Sequence, residues 1–330
     1  MSDFFLNIVV IGRNESEFLC DSLESAIEAG NYLKSLGYES PRIIYLDGQS
    51  TDDSVAIAME KRIEIYIVDG TPNPARGRQF GLKKSNAKYV FFLDGDTIVN
   101  RGWLIKGVQY LENNPDVAGV GGILDWEEWC NGKVLGRKSN YWNVRHNEEK
   151  VVDGVGGTFL YHYEVLDKVG GWDTTLARSE EFELHLRIAH AGYSLRRISV
   201  PMATHRDNKT NSAKTFLQRH ILNSTIFIPS VIIRRAPKSL PVLKLLFYRY
   251  WLYLLHPLAI LGISTFILLY FQAQSVKWII FGILTAIFLF IGHYFYKGKG
   301  FRRSIISAIT MNFFSLGWII GLFVRWPNKE

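Results

Sequence analysis

Acidic residues are missing from one long stretch of this 330-residue chain: between Asp207 and Glu330 there is none. From Met1 to Thr204 there are 22 Lys and Arg against 29 Asp and Glu, whereas His205 to Glu330 carries 16 against 2. A basic, acid-free segment that is also rich in long apolar runs points to an anionic bilayer. It excludes nucleic acid as a partner, which requires basic side chains on a folded polar face. Cysteine is scarce. Cys20 and Cys130 lie far apart without ligand spacing, so a disulfide framework and a thiolate metal centre are excluded and a reducing compartment is expected. The first residues show no basic start and no small-residue cleavage site, so the apolar run Phe4 to Ile11 reads as a strand rather than a secretory leader. Lys, Arg, Asp and Glu are absent from three apolar runs, 250–271, 278–296 and 304–324. Each is long enough to cross a hydrocarbon core of about 30 Å as a helix.

Trp251, Trp278, Tyr296 and Trp326 stand near the ends of those runs, as interfacial aromatic anchors do. The connection Lys297 to Arg303 carries four positive charges and Gln272 to Lys277 one, so the positive-inside rule places the former in the cytosol. Residues 213–248 mix apolar side chains with Arg219, Arg234, Arg235, Lys238 and Lys244, the pattern of interfacial amphipathic helices. They would link a cytosolic domain over 1–212 to an all-α membrane domain over 249–330. The expectation is an integral membrane protein of a prokaryotic plasma membrane, with its amino-terminal domain on the cytosolic face.

In that first domain, strand-like runs Phe4 to Ile11, Arg42 to Leu46, Ile63 to Val68, Tyr89 to Leu93 and Val117 to Leu124 alternate with helical patterns. The helical patterns cover Glu15 to Leu36, Asp52 to Lys61, Ala75 to Ser85 and Gly102 to Glu112. Alternation at this spacing predicts βαβ units, hence an α/β, Rossmann-like domain with a mostly parallel central sheet. The loops after the strands then gather on one edge, where such sheets bind ligands. Asp47, Asp69 and Asp94 each directly follow a strand-like run.

Tyr89 to Leu93 halts at Asp94-Gly95-Asp96. In extended backbone, side chains two residues apart point the same way, so Asp94 and Asp96 share a face while Gly95 admits close approach to the main chain. Their oxygens suit one hard divalent cation, Mg²⁺ or Mn²⁺; the alternative is a plain Asp-Gly turn. His205, after the strand-like Leu195 to Val200, either completes that site or is structural. Ser50 to Asp53 suit a helix cap, which leaves Asp47 as an acceptor for a base or ribose. Arg76 and Arg78 fall in the first turn of a helix, where like charge meets the positive dipole; either a diphosphate lies nearby or the pair is solvated. Gly119, Gly121 and Gly122 lie outside the first βα turn and read as close packing, not as a dinucleotide fingerprint.

Asp125 to Val152 reads as a long irregular loop carrying Trp126, Trp129, Tyr141 and Trp142, assigned to an acceptor. Gly156 and Gly157 form a small-residue turn into a strand, and a short helix over Tyr163 to Val169 closes at Gly170-Gly171, before Trp172-Asp173. Ser179 is placed to cap the last helix. Glu180, Glu181 and Glu183 then exceed what capping needs; one of them, its pKa raised by crowding and partial burial, can serve as a general base.

In this order the motifs resemble those of the family-2 glycosyltransferases, which have the nucleotide-diphospho-sugar transferase fold known as GT-A, over about Phe5 to His205. Arg13-Asn14-Glu15 resembles the family's opening Asn-Glu element. Asp47 to Asp52 resembles its Asp-x-x-Ser-Thr-Asp motif, with Gln49 for the usual glycine. Arg76 to Gly81 resembles its Ala-Arg-Asn-x-Gly-Leu helix, with Gln79 for the common Asn. Asp94-Gly95-Asp96 matches the metal-binding Asp-x-Asp, and Gly170 to Asp173 resembles Gly-Gly-Phe-Asp. Ser179 to Leu184 resembles Gly-Glu-Asp-x-Glu-Leu, with Glu181 at the position of the catalytic Asp and one methylene longer.

The resemblance implies an inverting, metal-dependent transfer from a nucleotide-diphosphate sugar. Arg13, Glu15, Asp47, Arg76, Arg78, Asp94 and Gly95 would surround the donor, and Asp94, Asp96 and His205 would hold Mn²⁺ or Mg²⁺. Glu181, or its neighbour Glu180, would be the base; Gly156, Gly157, Trp172 and Asp173 would face the acceptor. That acceptor would be membrane-associated, most simply a polyprenyl-linked glycan in cell-surface polysaccharide or glycan synthesis. No Gln-x-x-Arg-Trp motif of the processive synthases is found, Gln218-Arg219-His220 being a faint echo, which implies one sugar per encounter. Alternatives are transfer to a polyprenyl phosphate, a non-catalytic sugar-nucleotide-binding membrane protein, and hydrolysis of the sugar nucleotide.

Overall fold

The computed structural model describes residues 4–144, 150–152, 156–208 and 227–250, with single positions 265, 268, 272 and 280. The chain forms two compact units, Met1–Leu217 with Pro327–Glu330, and Gln218–Trp326. In the second, a helix covers Ile228–Arg235 and another helical run covers 240–250. The three apolar runs expected to span a membrane lie outside the continuously described residues; among the described residues no helix is long and apolar enough to cross one.

The first unit opens with strand and helix in turn: β1 (Phe4–Gly12), α1 (Leu19–Ser35), β2 (Arg42–Asp47), α2 (Ser54–Glu60), β3 (Glu64–Ile67), α3 (Pro74–Lys84), β4 (Ala87–Asp94) and the short β5 (Thr97–Val99). It continues with α4 (Trp103–Asn113), β6 (Val117–Cys130), β7 (Lys133–Lys138), β8 (Lys150–Val151), β9 (Phe159–His162), α5 (Tyr163–Lys168), α6 (Glu180–His190) and β10 (Ser194–Asn208). The sheet runs β3-β2-β1-β4-β9-β6-β10-β5, with β7 added to β6 and β8 to β10.

The first four neighbours, β3, β2, β1 and β4, are parallel as the alternation predicts. Beyond β4 the sheet is mixed, which corrects the mostly parallel expectation: β9 lies antiparallel to both β4 and β6, and β5 antiparallel to β10. The strict strand-helix alternation ends after α4: β6 passes straight into the antiparallel β7, and antiparallel pairing needs no crossover. In β1 and β4 successive residues are buried on opposite faces. Leu6, Ile8, Val10, Phe91 and Leu93 pack with Leu23 of α1 and Trp103 of α4; Val9, Ile11, Val90 and Phe92 pack with Leu82, Leu166 and Leu184 of α3, α5 and α6. Two-sided burial explains why these strands read as continuous apolar runs, and each buried Phe or Leu contributes roughly 1.5–3 kcal/mol.

Two expected irregular stretches are strands. β6 continues to Cys130 and folds back on β7 through Asn131-Gly132, both at positive φ, 50° and 71°. Asn-Gly is the dipeptide that a two-residue hairpin favours, because both central residues take left-handed backbone. β10 runs on past Pro201, with register shifts against β6 on either side of that proline, so His205 sits inside a strand rather than after one. Gly119, Gly121 and Gly122 lie within β6 as packing residues.

Candidate active site

Register brings the acidic strand ends together. Gly12 of β1 is opposite Asp47 of β2, and Ile11 opposite Asp94 of β4. Gly95 N donates to Ile11 O at 2.7 Å and Gly48 N to Gly12 O at 2.8 Å, so the three loops leave the sheet side by side. They enclose a cleft of about 300 Å³ whose lining includes Arg13, Glu15, Asn73, Arg78, Asp94, Gly95 and Asp96.

The loops after β1 and β2 are laced by side chains. Asn14 N donates to Ser50 Oγ (2.9 Å), Thr51 N to Asn14 Oδ1 (2.8 Å), Glu15 N to Ser54 Oγ (3.0 Å) and Ser16 N to Asp52 Oδ2 (3.0 Å). Asp52 is held down to about 2: what burial it has raises its pKa, and hydrogen bonds from Ser54 and Ser16 outweigh that. This corrects the expected helix cap, because α2 begins after Asp53 with no side-chain cap and the polar residues bridge two loops instead. It also corrects Asp47. Its carboxylate is buried and accepts from Tyr45 Oη (3.0 Å), Ser50 N (2.7 Å) and Ser50 Oγ (2.6 Å), so it fixes the loop and does not face the cleft.

Arg78 is the hub. Its side chain is 4% exposed and pairs with Asp94 Oδ1 at 2.8 Å, Glu180 Oε1 at 3.0 Å and Glu181 Oε1 at 3.3 Å. Three carboxylates thus claim its terminal nitrogens, while the residue also lines the cleft where a diphosphate was expected. At Arg76 it is the backbone that works in the helix start, its N–H donating to the N-cap Asn73 at 2.8 Å. Its guanidinium packs on Gly70 and is absent from the cleft lining.

The three glutamates of α6 separate by partner. Glu183 takes Arg187 one turn on, at 2.6 Å, and Arg187 in turn donates to Val169 O and Gly171 O. Glu180 is buried against Arg78, whereas the Glu181 side chain keeps 18% exposure. Burial and the charge of Glu180 push Glu181 up to about 8, Arg78 opposing them. Ser179 precedes the helix in left-handed backbone (φ 59°) and makes no side-chain cap, a correction to the expected cap.

Asp96 Oδ1 stands 3.1 Å from His205 Nδ1, and Thr97 Oγ1 lies 3.1 Å from the same nitrogen. Burial alone would lower the His205 pKa; the Asp96 hydrogen bond and the Asp96 and Asp94 charges outweigh it and raise it. Burial, then Asp96 and Asp94, push Glu15 up to about 8. Carboxylate oxygens beside an imidazole, with a surplus of negative charge, fit a hard divalent cation. The grouping is open. Among the described residues, the group whose ligand atoms all lie within 4.8 Å of one another is Cys20, Asp21 and Glu24 of α1, so no three ligands of the cleft stand that close together.

Of the expected acceptor residues, Trp172 and Asp173 are about 1% exposed. Trp172 packs on Phe92 at 4.6 Å, and Asp173 Oδ1 accepts from Thr175 N and Oγ1, so both are core and turn residues; this corrects their assignment. Gly157 is in the site, because a side chain there would run into Asp94 and Arg78; Gly156 lies near Trp142. Trp126 stacks on Tyr141 at 4.8 Å and meets His205 at 4.2 Å, which puts that aromatic pair beside the Asp96 end. Asn14 belongs to the Asn-Glu element, whereas Ser54 and Thr97 carry no sequence signal beyond their place directly after motif residues.

The sequence matches the family model described as Glycosyl transferase family 2 over residues 7–170 and that described as Glycosyl transferase family group 2 over residues 89–291. It is 26% identical over 198 residues to Glycosyltransferase AglE of Haloferax volcanii, covering 58% of this chain and 63% of that protein. It is 25% identical over 195 residues to Poly-beta-1,6-N-acetyl-D-glucosamine synthase of Staphylococcus epidermidis, covering 52% of this chain but 44% of the synthase. The fold is shared with the mannosyltransferase PcManGT from Pyrobaculum calidifontis in complex with GDP-Man and Mn²⁺, with TM-score 0.57, 16% identity and coverage of 96% of this chain and 86% of that one. It is also shared with S. aureus TarS 1-349 in complex with UDP-GlcNAc, with TM-score 0.52, 14% identity and coverage of 75% and 72%.

Proposed function

Because the chain belongs to the family-2 glycosyltransferases, we propose that it moves a sugar, with inversion, from a nucleotide-diphosphate sugar to a membrane-associated acceptor such as a polyprenyl-linked glycan. The observation that carries this reading is the shared guanidinium: Arg78, itself in the cleft lining, ties Asp94 at the cation end to Glu181, whose side chain keeps 18% exposure. The GDP-Man with Mn²⁺ in PcManGT and the UDP-GlcNAc in TarS support a nucleotide sugar and a divalent metal here. Asp94 and Asp96, with His205 behind Asp96, would hold Mn²⁺ or Mg²⁺, which when bound neutralises the diphosphate leaving group. Glu181 takes the proton of the acceptor hydroxyl as its oxygen attacks the anomeric carbon; the bond from that carbon to the diphosphate breaks, and the nucleoside diphosphate leaves.

The membrane part of the reading is supported by sequence and by one helix. Leu240, Leu243 and Phe247, spaced for a single helix face, are 66%, 57% and 66% exposed, and Lys244 lies among them. Such a face suits an anionic lipid surface. On this reading the protein is an integral membrane enzyme with its catalytic unit on the cytosolic side. The test is to incubate the detergent-solubilised chain with Mn²⁺ and a panel of UDP- and GDP-sugars, with and without lipid-linked glycan and polyprenyl phosphate. Glycan-dependent release of nucleoside diphosphate from one donor is expected. Release of sugar phosphate indicates a phosphohydrolase, and glycosylation of the bare polyprenyl phosphate the other transfer.

A further inference from the structure

We propose that Glu15 is the third carboxylate of the divalent-cation site, acting on the ion's water shell beside Asp94 and Asp96 rather than on the ribose. This rests on the reading that Asp94 and Asp96 hold the cation. The placement of Glu15 is structural. Its N–H donates to Ser54 Oγ at 3.0 Å, and its carbonyl accepts from Phe18 N and Leu19 N at 2.9 and 2.8 Å, so its backbone is pinned between β1 and α1. From there the side chain lies over the Asp94-Gly95-Asp96 turn: a Cβ on Gly95 would stand 3.3 Å from Glu15 Cγ, and one on Gly12 equally close. The missing side chain of Gly95 thus leaves the space that Glu15 takes up beside this turn.

The partners differ in a way that singles Glu15 out. Asp94 has Arg78, and Asp96 has His205 and Thr97. Among the described residues no hydrogen bond or ion pair reaches the Glu15 carboxylate, although it is half-buried and lines the same cleft. A half-buried carboxyl beside two others either keeps its proton or meets a cation or the cation's bound water, and a bound cation favours the ionised form. Mg²⁺ typically takes one or two carboxylates directly, keeps several waters and accepts phosphate oxygens, which leaves a further carboxylate to accept from a bound water. An acceptor for a metal-bound water typically governs affinity by about 10–100-fold.

The test is Mn²⁺ binding to the full chain without nucleotide, followed by the loss of the free-ion electron paramagnetic resonance signal, for wild type, Glu15→Gln, Glu15→Asp and Asp96→Asn. UDP and GDP binding in EDTA is measured in parallel. Glu15→Gln should weaken Mn²⁺ by about tenfold, Glu15→Asp should restore most of it, and metal-free nucleotide binding should stay unchanged. Unchanged Mn²⁺ affinity together with lost metal-free nucleotide affinity in Glu15→Gln would assign Glu15 to the nucleotide and overturn the inference. A wild-type chain that takes up no Mn²⁺ would overturn the cation reading of Asp94 and Asp96 along with it. A melt by circular dichroism separates either result from misfolding.

Discussion

Arg78 Nη2 stands 2.8 Å from Asp94 Oδ1, in a pair whose arginine is buried and whose aspartate faces the cleft. Through Nη1 the same guanidinium reaches Glu180 and Glu181, so one cation spans both ends of the site. Removing one member of a buried charge network strands the others and costs about 3–5 kcal/mol. Arg78→Ala should therefore lower the thermal midpoint sharply as well as abolish transfer. Arg78→Lys, which keeps the charge but cannot fork, should lose less stability. Equal melting curves for wild type and Arg78→Ala would contradict the network.

Gly157 tests the same pair from the other side. A methyl at Gly157 would collide with Asp94 and Arg78. Gly157→Ala should reduce donor turnover at least tenfold by separating the two, while leaving the secondary structure seen by circular dichroism intact. Wild-type turnover would show that the space is not needed.

The pH profile follows from Glu181, held up to about 8 by burial and by Glu180. A base works ionised, so kcat/KM should climb with pH on a limb ending near 8, and Glu181→Asp should move that limb. The stability effect has the opposite sign. A carboxyl whose folded pKa lies above its unfolded value of 4.5 favours the folded state most at low pH, and that contribution is lost as pH rises from 4.5 through about 8. A flat kcat/KM between pH 6 and 9 would remove Glu181 from the role.

Ser54 is fully buried, its hydroxyl accepting from Glu15 N and donating to Asp52 Oδ1 at 2.6 Å. Ser54→Ala leaves a backbone donor unpaired and should cost about 1–3 kcal/mol, read as a lower urea midpoint at constant slope. It should also raise KM for the donor, because Glu15 is carried on that loop. No change in either quantity would mean the lacing of the two loops is incidental.

What the sequence made legible is what local pattern determines. β1, β2 and β4 are buried on both faces and read as apolar runs, and Asp94 and Asp96 stand where such a run stops. The antiparallel entry of β9 was hidden, because it depends on the route of the chain between distant segments. Asn131-Gly132 is itself a hairpin turn signal, but it lies in a stretch whose polar and aromatic composition reads as a loop. Among the site residues, motif order located Asp47, Arg78, Trp172 and Asp173 but not the direction each side chain takes. Asp47 turns to Ser50 and Tyr45, Trp172 to Phe92, and Arg78 to three carboxylates, and each orientation is set by a partner far away in sequence.

The central claim is that Glu181 deprotonates the acceptor across the cleft from a donor held at Asp94 and Asp96. The measurement that reaches it most directly compares wild type and Glu181→Gln with the accepted sugar nucleotide, Mn²⁺ and acceptor, reading donor affinity by calorimetry and nucleoside diphosphate release by rate. The account predicts equal donor affinity and a release rate reduced by roughly 10²–10⁴-fold in the variant, the range for loss of a general base. Acceptor-dependent release by Glu181→Gln at the wild-type rate would contradict it.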